Sequence, residues 1–202
     1  MSTADHSERN QHRSPKRVFD IVIAVVMLVL MLPTLLFIML AVKLEGPGPV
    51  LYSQMRLGRH GKAFRYLKFR TMKHDAENTA TGPVFKLRSD PRVSRVGRFL
   101  RKTSLDELPA LLNVIRGSMS IVGPRAALPL EAEHYSEVQR KRLELKPGLT
   151  GYWQVFGRAQ EANTLDKMVQ MDLEYADKQS LLFDLKILIR TVAVGLTRNA
   201  AQ

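Results

Sequence analysis

The chain has 202 residues, 45% of them hydrophobic, and a formal charge of +12. That length supports one domain with a real core, and the charge points to anionic partners. The absence of cysteine excludes disulfides, thiolate metal sites and a cysteine nucleophile, and the five His lack zinc-ligand spacing.

Residues 1–15 are polar and read as a disordered tail. Residues 21–42 then run without a charge, enough for a membrane helix of about 20 residues. The run exceeds the apolar region of a cleaved signal peptide, so none is expected. Pro33 near its centre removes a backbone donor and clashes with the preceding turn, which predicts a break. Both flanks are basic, with Arg13, Lys16 and Arg17 before and Lys43, Arg56 and Arg59 after. That favours one side of the membrane for both ends. Physics alone leaves two topologies open, a spanning helix and a re-entrant one that dips into one leaflet and returns. Asp20, within helical reach of Arg17, is expected at headgroup level.

Glu45–Pro49 ends the membrane helix. Val50–Gln54 and Ala63–Met72 read as strands joined by a turn over Gly58–Lys62, and alternation in the second predicts one buried and one cationic face. Residues 73–91 read as a loop. Residues 54–102 hold fourteen Lys or Arg against three acids, a density suited to phosphates of nucleic acid, lipid or substrate. A short helix ends near Leu100, and Leu105–Ile115 reads as a helix stopped at Arg116-Gly117. Ser120–Val122 is extended. Leu130–Leu145, residues 163–178 and residues 181–196 read as amphipathic helices. The last suits a membrane surface or a core equally.

Ser104-Leu105-Asp106-Glu107-Leu108-Pro109 is the best catalytic candidate, because an Asp can attack phosphorus and form an acyl phosphate. Ser104-x-x-Glu107 also fits a capping box. Pro109 favours Asp106 as the N-cap, since Pro then falls in the first turn, where no donor is needed. Arg125, after Gly123-Pro124, can clamp a phosphate. Lys68 and Arg70 are further phosphate candidates. The glycines of Lys146–Arg158 allow close backbone approach, and Tyr152, Trp153 or Phe156 can stack on a base.

In this order, Lys16–Asp20, the apolar run with Pro33, Tyr66–Met72, Ser104–Pro109, Gly123–Arg125, Lys146–Gly151 and Trp153–Arg158 resemble the bacterial sugar transferase family, the monotopic phosphoglycosyl transferases. The resemblance covers about Lys16 to Thr197. It implies an α+β, mainly helical fold. By the same resemblance residues 16–45 would form a re-entrant membrane helix broken at Pro33, and residues 46–198 a cytosolic catalytic domain with a small β-hairpin and amphipathic helices at the membrane surface. It implies transfer of a sugar 1-phosphate from a UDP-sugar to polyprenyl (undecaprenyl) phosphate, with release of UMP, as the first membrane step of a surface glycan. Asp106 would be the nucleophile, forming an aspartyl-phosphosugar intermediate, with Glu107 as its partner and Mg²⁺ held by both. Lys68, Arg101, Arg125 and Arg158 would bind substrate, and Asp172 matches an acid near the active site. The implied place is the cytoplasmic face of the bacterial inner membrane, in contact with membrane lipid. No nucleic acid is implied, and a homodimer is left open. Ala126, Lys146 and Phe156 depart from the usual Pro, Arg and Ser or Asn. The rival readings are a non-catalytic, membrane-anchored binder of nucleic acid or anionic lipid, and a nucleotide-sugar pyrophosphatase.

Overall fold

The computed structural model describes residues 3–73, 90–157 and 165–200, with side chains from 15 to 195 within them. The loop expected over 73–91 therefore falls almost wholly outside the described residues, and so does Arg158.

Helix α1 (Thr3–Leu30) and helix α2 (Leu32–Leu44) meet at Met31 with a bend of 64°. Pro33 lies in the first turn of α2, where no N–H is required. Its ring would clash with the Val29 carbonyl in a straight helix, so the break falls two residues ahead of it. Residues 3–14, expected as a disordered tail, continue α1. Once the docked turns nucleate the helix, each further residue adds a bond for the dihedrals it fixes.

Strands β1 (Leu51–Leu57) and β2 (Ala63–Phe69) form the expected antiparallel hairpin, in register from Leu51 opposite Phe69 to Leu57 opposite Ala63. The turn closes with His60 and Gly61 at positive φ and Gly58 N–H on the Lys62 carbonyl at 2.8 Å. Helix α3 (Arg95–Thr103) is capped by the Ser94 hydroxyl on Gly97 N–H, and Gly97 sits so close to the Thr71 carbonyl that a Cβ would overlap it.

The helix expected over Leu105–Ile115 is divided. A 3-10 turn (Leu105–Ala110) precedes helix α4 (Leu111–Arg116), because Pro109 cannot donate to the Leu105 carbonyl as an α-helix requires. The helix expected over Leu130–Leu145 is also divided, into α5 (Pro129–Glu133), α6 (Glu137–Arg140) and a 3-10 turn (Lys141–Glu144). Ser136 and Gln139 form a reciprocal capping box that starts the chain afresh. Helix α7 (Leu165–Lys178) and helix α8 (Leu181–Ala200) follow.

Strand β3 (Ser120–Val122) pairs in parallel with β4 (Gly148–Thr150), a contact the sequence reading lacks. Here the glycines of two motifs face each other. A Cβ on Gly123 would meet the Lys146 carbonyl, and one on Gly148 or Gly151 would meet Gly123. The close approach expected toward a ligand is therefore an approach of one motif to the other.

A main core joins most of these pieces, and a second cluster of Ala127, Ala132 and Tyr135 sits under α5. Phe69, Leu100, Leu111, Val114, Ile121 and Ile187 are buried together with Ala24, Ile38 and Val42 of the bent pair. The outer face of that pair stays exposed, with Phe37 at 71% and Leu44 at 77%, and so does the Leu182, Leu185, Ile189 and Val192 stripe of α8.

Candidate active site

Directly opposed residues of a hairpin share a face. Tyr52, Gln54 and Arg56 of β1 thus lie on one side with Phe64, Tyr66 and Lys68 of β2. Arg65 falls on the other side with Leu67 and Phe69, so the expected split into an apolar and a cationic face does not hold. Lys68 Nζ sits 5.5 Å from the centre of the Tyr52 ring, a cation–π contact.

β2 packs on the 3-10 turn bearing the two acids, and Asn113 fixes its height. Buried Asn113 accepts from Leu67 N–H at 3.0 Å and donates to the Arg65 carbonyl at 2.8 Å, joining the strand to α4. Asp106 is buried at 8% exposure and Glu107 is half-buried. Neither capping arrangement survives. Ser104 takes a left-handed backbone, φ 58°, because it also ends α3, and its side chain makes no cap bond. Asp106 lies inside the 3-10 turn, ahead of α4 and not at its N-cap.

The electrostatic couplings give the membership of the site. Burial lowers the Lys68 ammonium below its ordinary value, while Asp106 pulls it back up. Burial, then Glu107 and Asp106, drives the Tyr66 hydroxyl well above its ordinary value, so it keeps its proton and remains a donor. Burial and the Arg125 charge lower Arg56, opposed by Glu131, Tyr66 and Glu107. Both acids thus act on Lys68 and Tyr66, and Glu107 acts on Arg56 as well. Arg101, also felt by Lys68, donates Nε to Thr71 Oγ1 at 2.8 Å at the end of β2.

Arg125 reaches both oxygens of Glu131, the nearer at 3.1 Å. Burial pushes the Glu131 carboxyl up, but the bonds from Arg125 and Leu128 N–H hold it below its ordinary value. Behind Arg125, buried Arg142 donates to the Arg125 carbonyl at 3.1 Å and to Tyr135 Oη at 3.0 Å, and pairs with Asp172 at 2.6 Å. Burial pushes the Asp172 carboxyl up to about 6, with Arg142 pulling the other way. Asp172 therefore stands behind the Arg125 loop as the counter-charge of Arg142.

Three sequence expectations are corrected. Arg70 is buried, and its guanidinium donates to the carbonyls of Pro47, Val42 and Gly46, so it caps the end of α2 and is spent as a phosphate ligand. Asp20 is not a solvent-facing charge beside Arg17. It is buried against β3, accepting from Ser120 Oγ at 2.9 Å and Ile121 N–H at 3.0 Å, with Lys16 at 3.8 Å. Lys16 and Arg17 are half-buried and turned toward the domain as well. Lys16 pairs with Asp184 at 2.5 Å, and Arg17 donates to the Val114 and Ile115 carbonyls at the end of α4.

Arg56, Tyr66, Asn113, Glu131 and Arg142 are the site and support residues that sequence reasoning missed. The hairpin register offers a signal for the first two, since Arg56 and Tyr66 share the face of Lys68. Among the described residues no three His, Asp or Glu converge as a metal cage. Two adjacent carboxylates still fit Mg²⁺, which takes one or two carboxylates and completes its shell with substrate phosphate and water.

Buried Asp106 and half-buried Glu107 couple to Lys68, Glu107 also to Arg56, and those two cations couple in turn to Arg101 and Arg125, a grouping of charge suited to a phosphorylated anion. The chain belongs to the bacterial sugar transferase family, whose model matches residues 11–198. It is 45% identical over 196 residues to UDP-glucose:undecaprenyl-phosphate glucose-1-phosphate transferase of Escherichia coli (strain K12), covering 94% of this chain and 42% of that protein. It is 40% identical over 200 residues to galactosyl transferase CpsE of Streptococcus agalactiae serotype III, covering 95% and 44%. Against exopolysaccharide production protein ExoY of Sinorhizobium fredii it is 41% identical over 199 residues, covering 92% and 87%. The chain thus spans under half the length of the first two and most of the third.

Proposed function

We propose that this chain transfers a sugar 1-phosphate from a UDP-sugar to undecaprenyl phosphate through a covalent intermediate on Asp106. The observation that carries the reading is the Asp106–Glu107 pair coupled to Lys68 and Arg56, in a chain of this family with a relative named for that transfer.

Lys68, Arg101, Arg125 and Arg56 offset the charge of the donor diphosphate and orient it. A carboxylate oxygen of Asp106 attacks the sugar-bearing phosphorus. That bond forms as the bond from the same phosphorus to the bridging oxygen breaks, and UMP leaves with the oxygen. A phosphate oxygen of the polyprenyl acceptor then attacks the phosphorus, and the bond to Asp106 breaks, restoring the carboxylate. Two displacements let soluble donor and lipid acceptor bind in turn. Tyr66, protonated beside the acids, is placed to donate to a phosphoryl oxygen. Glu107 and Asp106 would hold Mg²⁺, which supplies positive charge against the phosphoryl oxygens.

The bent pair is read as a re-entrant hairpin in the cytoplasmic leaflet of the inner membrane. Both its ends are tied to one domain, Asp20 to β3 and the α2 carbonyls to Arg70. These ties support a topology with both ends on one side of the bilayer. With the 64° bend shared evenly, Pro15–Leu30 and α2, at 1.5 Å per residue, descend only about 10–13 Å, less than half of a hydrocarbon core about 30 Å thick. The exposed stripe of α8 would lie on the same surface.

The test is UMP release by the full chain in detergent with undecaprenyl phosphate and a panel of UDP-sugars. Asp106→Asn is expected to lose about a thousandfold or more in rate, and wild type without acceptor to retain labelled sugar phosphate on protein. Undiminished turnover in Asp106→Asn sinks the mechanism. Free sugar 1-phosphate formed without acceptor would mark a pyrophosphatase instead.

A further inference from the structure

At the end of α2 a recess of about 660 Å³ opens, and none of Lys68, Arg101, Asp106, Glu107 or Arg125 lines it. Its floor is apolar, with Pro47, Met72 and Val93, and its charged lining includes Lys73, Arg95 and Arg98. The walls are fixed. Arg70 ties the α2 end to the hairpin, Met72 and Val93 form a β-bridge, and Gly97 abuts Thr71. The one acid in the lining, Glu45, is committed to Val96 N–H at 2.9 Å. Among the described residues, the ion pairs do not involve Lys73, Arg95 or Arg98. All three are exposed, and so are Phe99, next along α3, and Leu44, the last residue of α2.

We propose that this recess binds the phosphodiester headgroup of an anionic phospholipid, with the phosphate against Lys73, Arg95 and Arg98 and the glycerol end over Met72 and Val93. This rests on the reading of α1 and α2 as membrane-inserted, which sets the recess where the apolar helix ends and headgroups begin. Three cations over an apolar floor match the order of charge and hydrocarbon in such a lipid. A free phosphate would use the cations but leave the floor bare.

Short-chain phosphatidylglycerol is titrated into the full chain in neutral detergent and followed by native mass spectrometry. One saturable site is expected. The Lys73→Gln/Arg95→Gln/Arg98→Gln variant should weaken it about a hundredfold, each cation contributing about a factor of five. Inorganic phosphate should not displace the lipid. Equal binding by the triple variant, or displacement by inorganic phosphate, overturns the proposal. So does a tenfold rise in KM for undecaprenyl phosphate in the variant with phosphatidylglycerol binding intact, since the recess would then serve the acceptor. Flotation on phosphatidylcholine vesicles, with and without phosphatidylglycerol, separates the two readings. If wild type floats on neither, the membrane reading falls and the recess proposal with it. If wild type and variant float with the same preference for phosphatidylglycerol, only the recess proposal falls.

Discussion

Arg142→Met is the sharpest probe of how the Arg125 loop is held. Arg142 is 1% exposed and bonded to Asp172, Tyr135 and the Arg125 carbonyl. Removing one partner of a buried pair strands the other charge, at a cost of about 3–5 kcal/mol. For a chain of this length that lowers Tm by roughly 10 °C. The loss should depend on pH. In wild type Asp172 already titrates near 6, above its unfolded value of 3.8, so its contribution to stability falls as pH rises between those values. Arg142 is what pulls that value down. Without it the folded carboxyl titrates higher still, and the window of falling stability extends above pH 6. The variant should therefore lie nearest to wild type at pH 4 and furthest at pH 8. Scanning calorimetry in detergent at both pH values measures this. Arg142→Met/Asp172→Leu should recover most of the stability, while UMP release stays low because the Arg125 carbonyl still lacks its donor. A single variant unfolding within 2–3 °C of wild type at pH 8, on that roughly 10 °C scale, refutes the reasoning.

Gly123→Ala places a Cβ against the Lys146 carbonyl, in backbone that cannot swing away, and should cost at least about 2 kcal/mol by overpacking. Gly195→Ala, with open space around it in α8, should be neutral or stabilise by about 0.5–1 kcal/mol. Urea midpoints of the two variants check both. Asn113→Ala leaves Leu67 N–H and the Arg65 carbonyl unpaired, at about 1–3 kcal/mol. It should also lower kcat more than it raises donor KM, because Lys68 and Tyr66 lose their height over the acids. Steady-state UMP release gives the split.

The features legible in the sequence are contiguous ones. The uncharged run with Pro33, the Gly58–Lys62 turn, the Asp106–Glu107 pair and the stop at Gly117 are each set by neighbours in sequence, where period, turn chemistry and helix breakers act. The roles of lone charged residues are not legible, because their partners are remote in sequence. Arg70 reads as a surface cation until the α2 carbonyls surround it. Lys16 reads as a flanking charge but meets Asp184, 168 positions away. Asp106 is recognisable as a nucleophile candidate, yet its local geometry is not. Whether Ser104 caps forward or turns left-handed to close α3 depends on packing that no short window contains.

The side chains of Lys16, Arg17 and Asp20 satisfy Asp184, the last carbonyls of α4 and the amide of Ile121. The greasy N-terminal region is thus a keel of the folded domain itself. Trimming the chain at Leu44 to obtain a shorter fragment would pull three pins from the fold at once, so preparations should keep the hull whole.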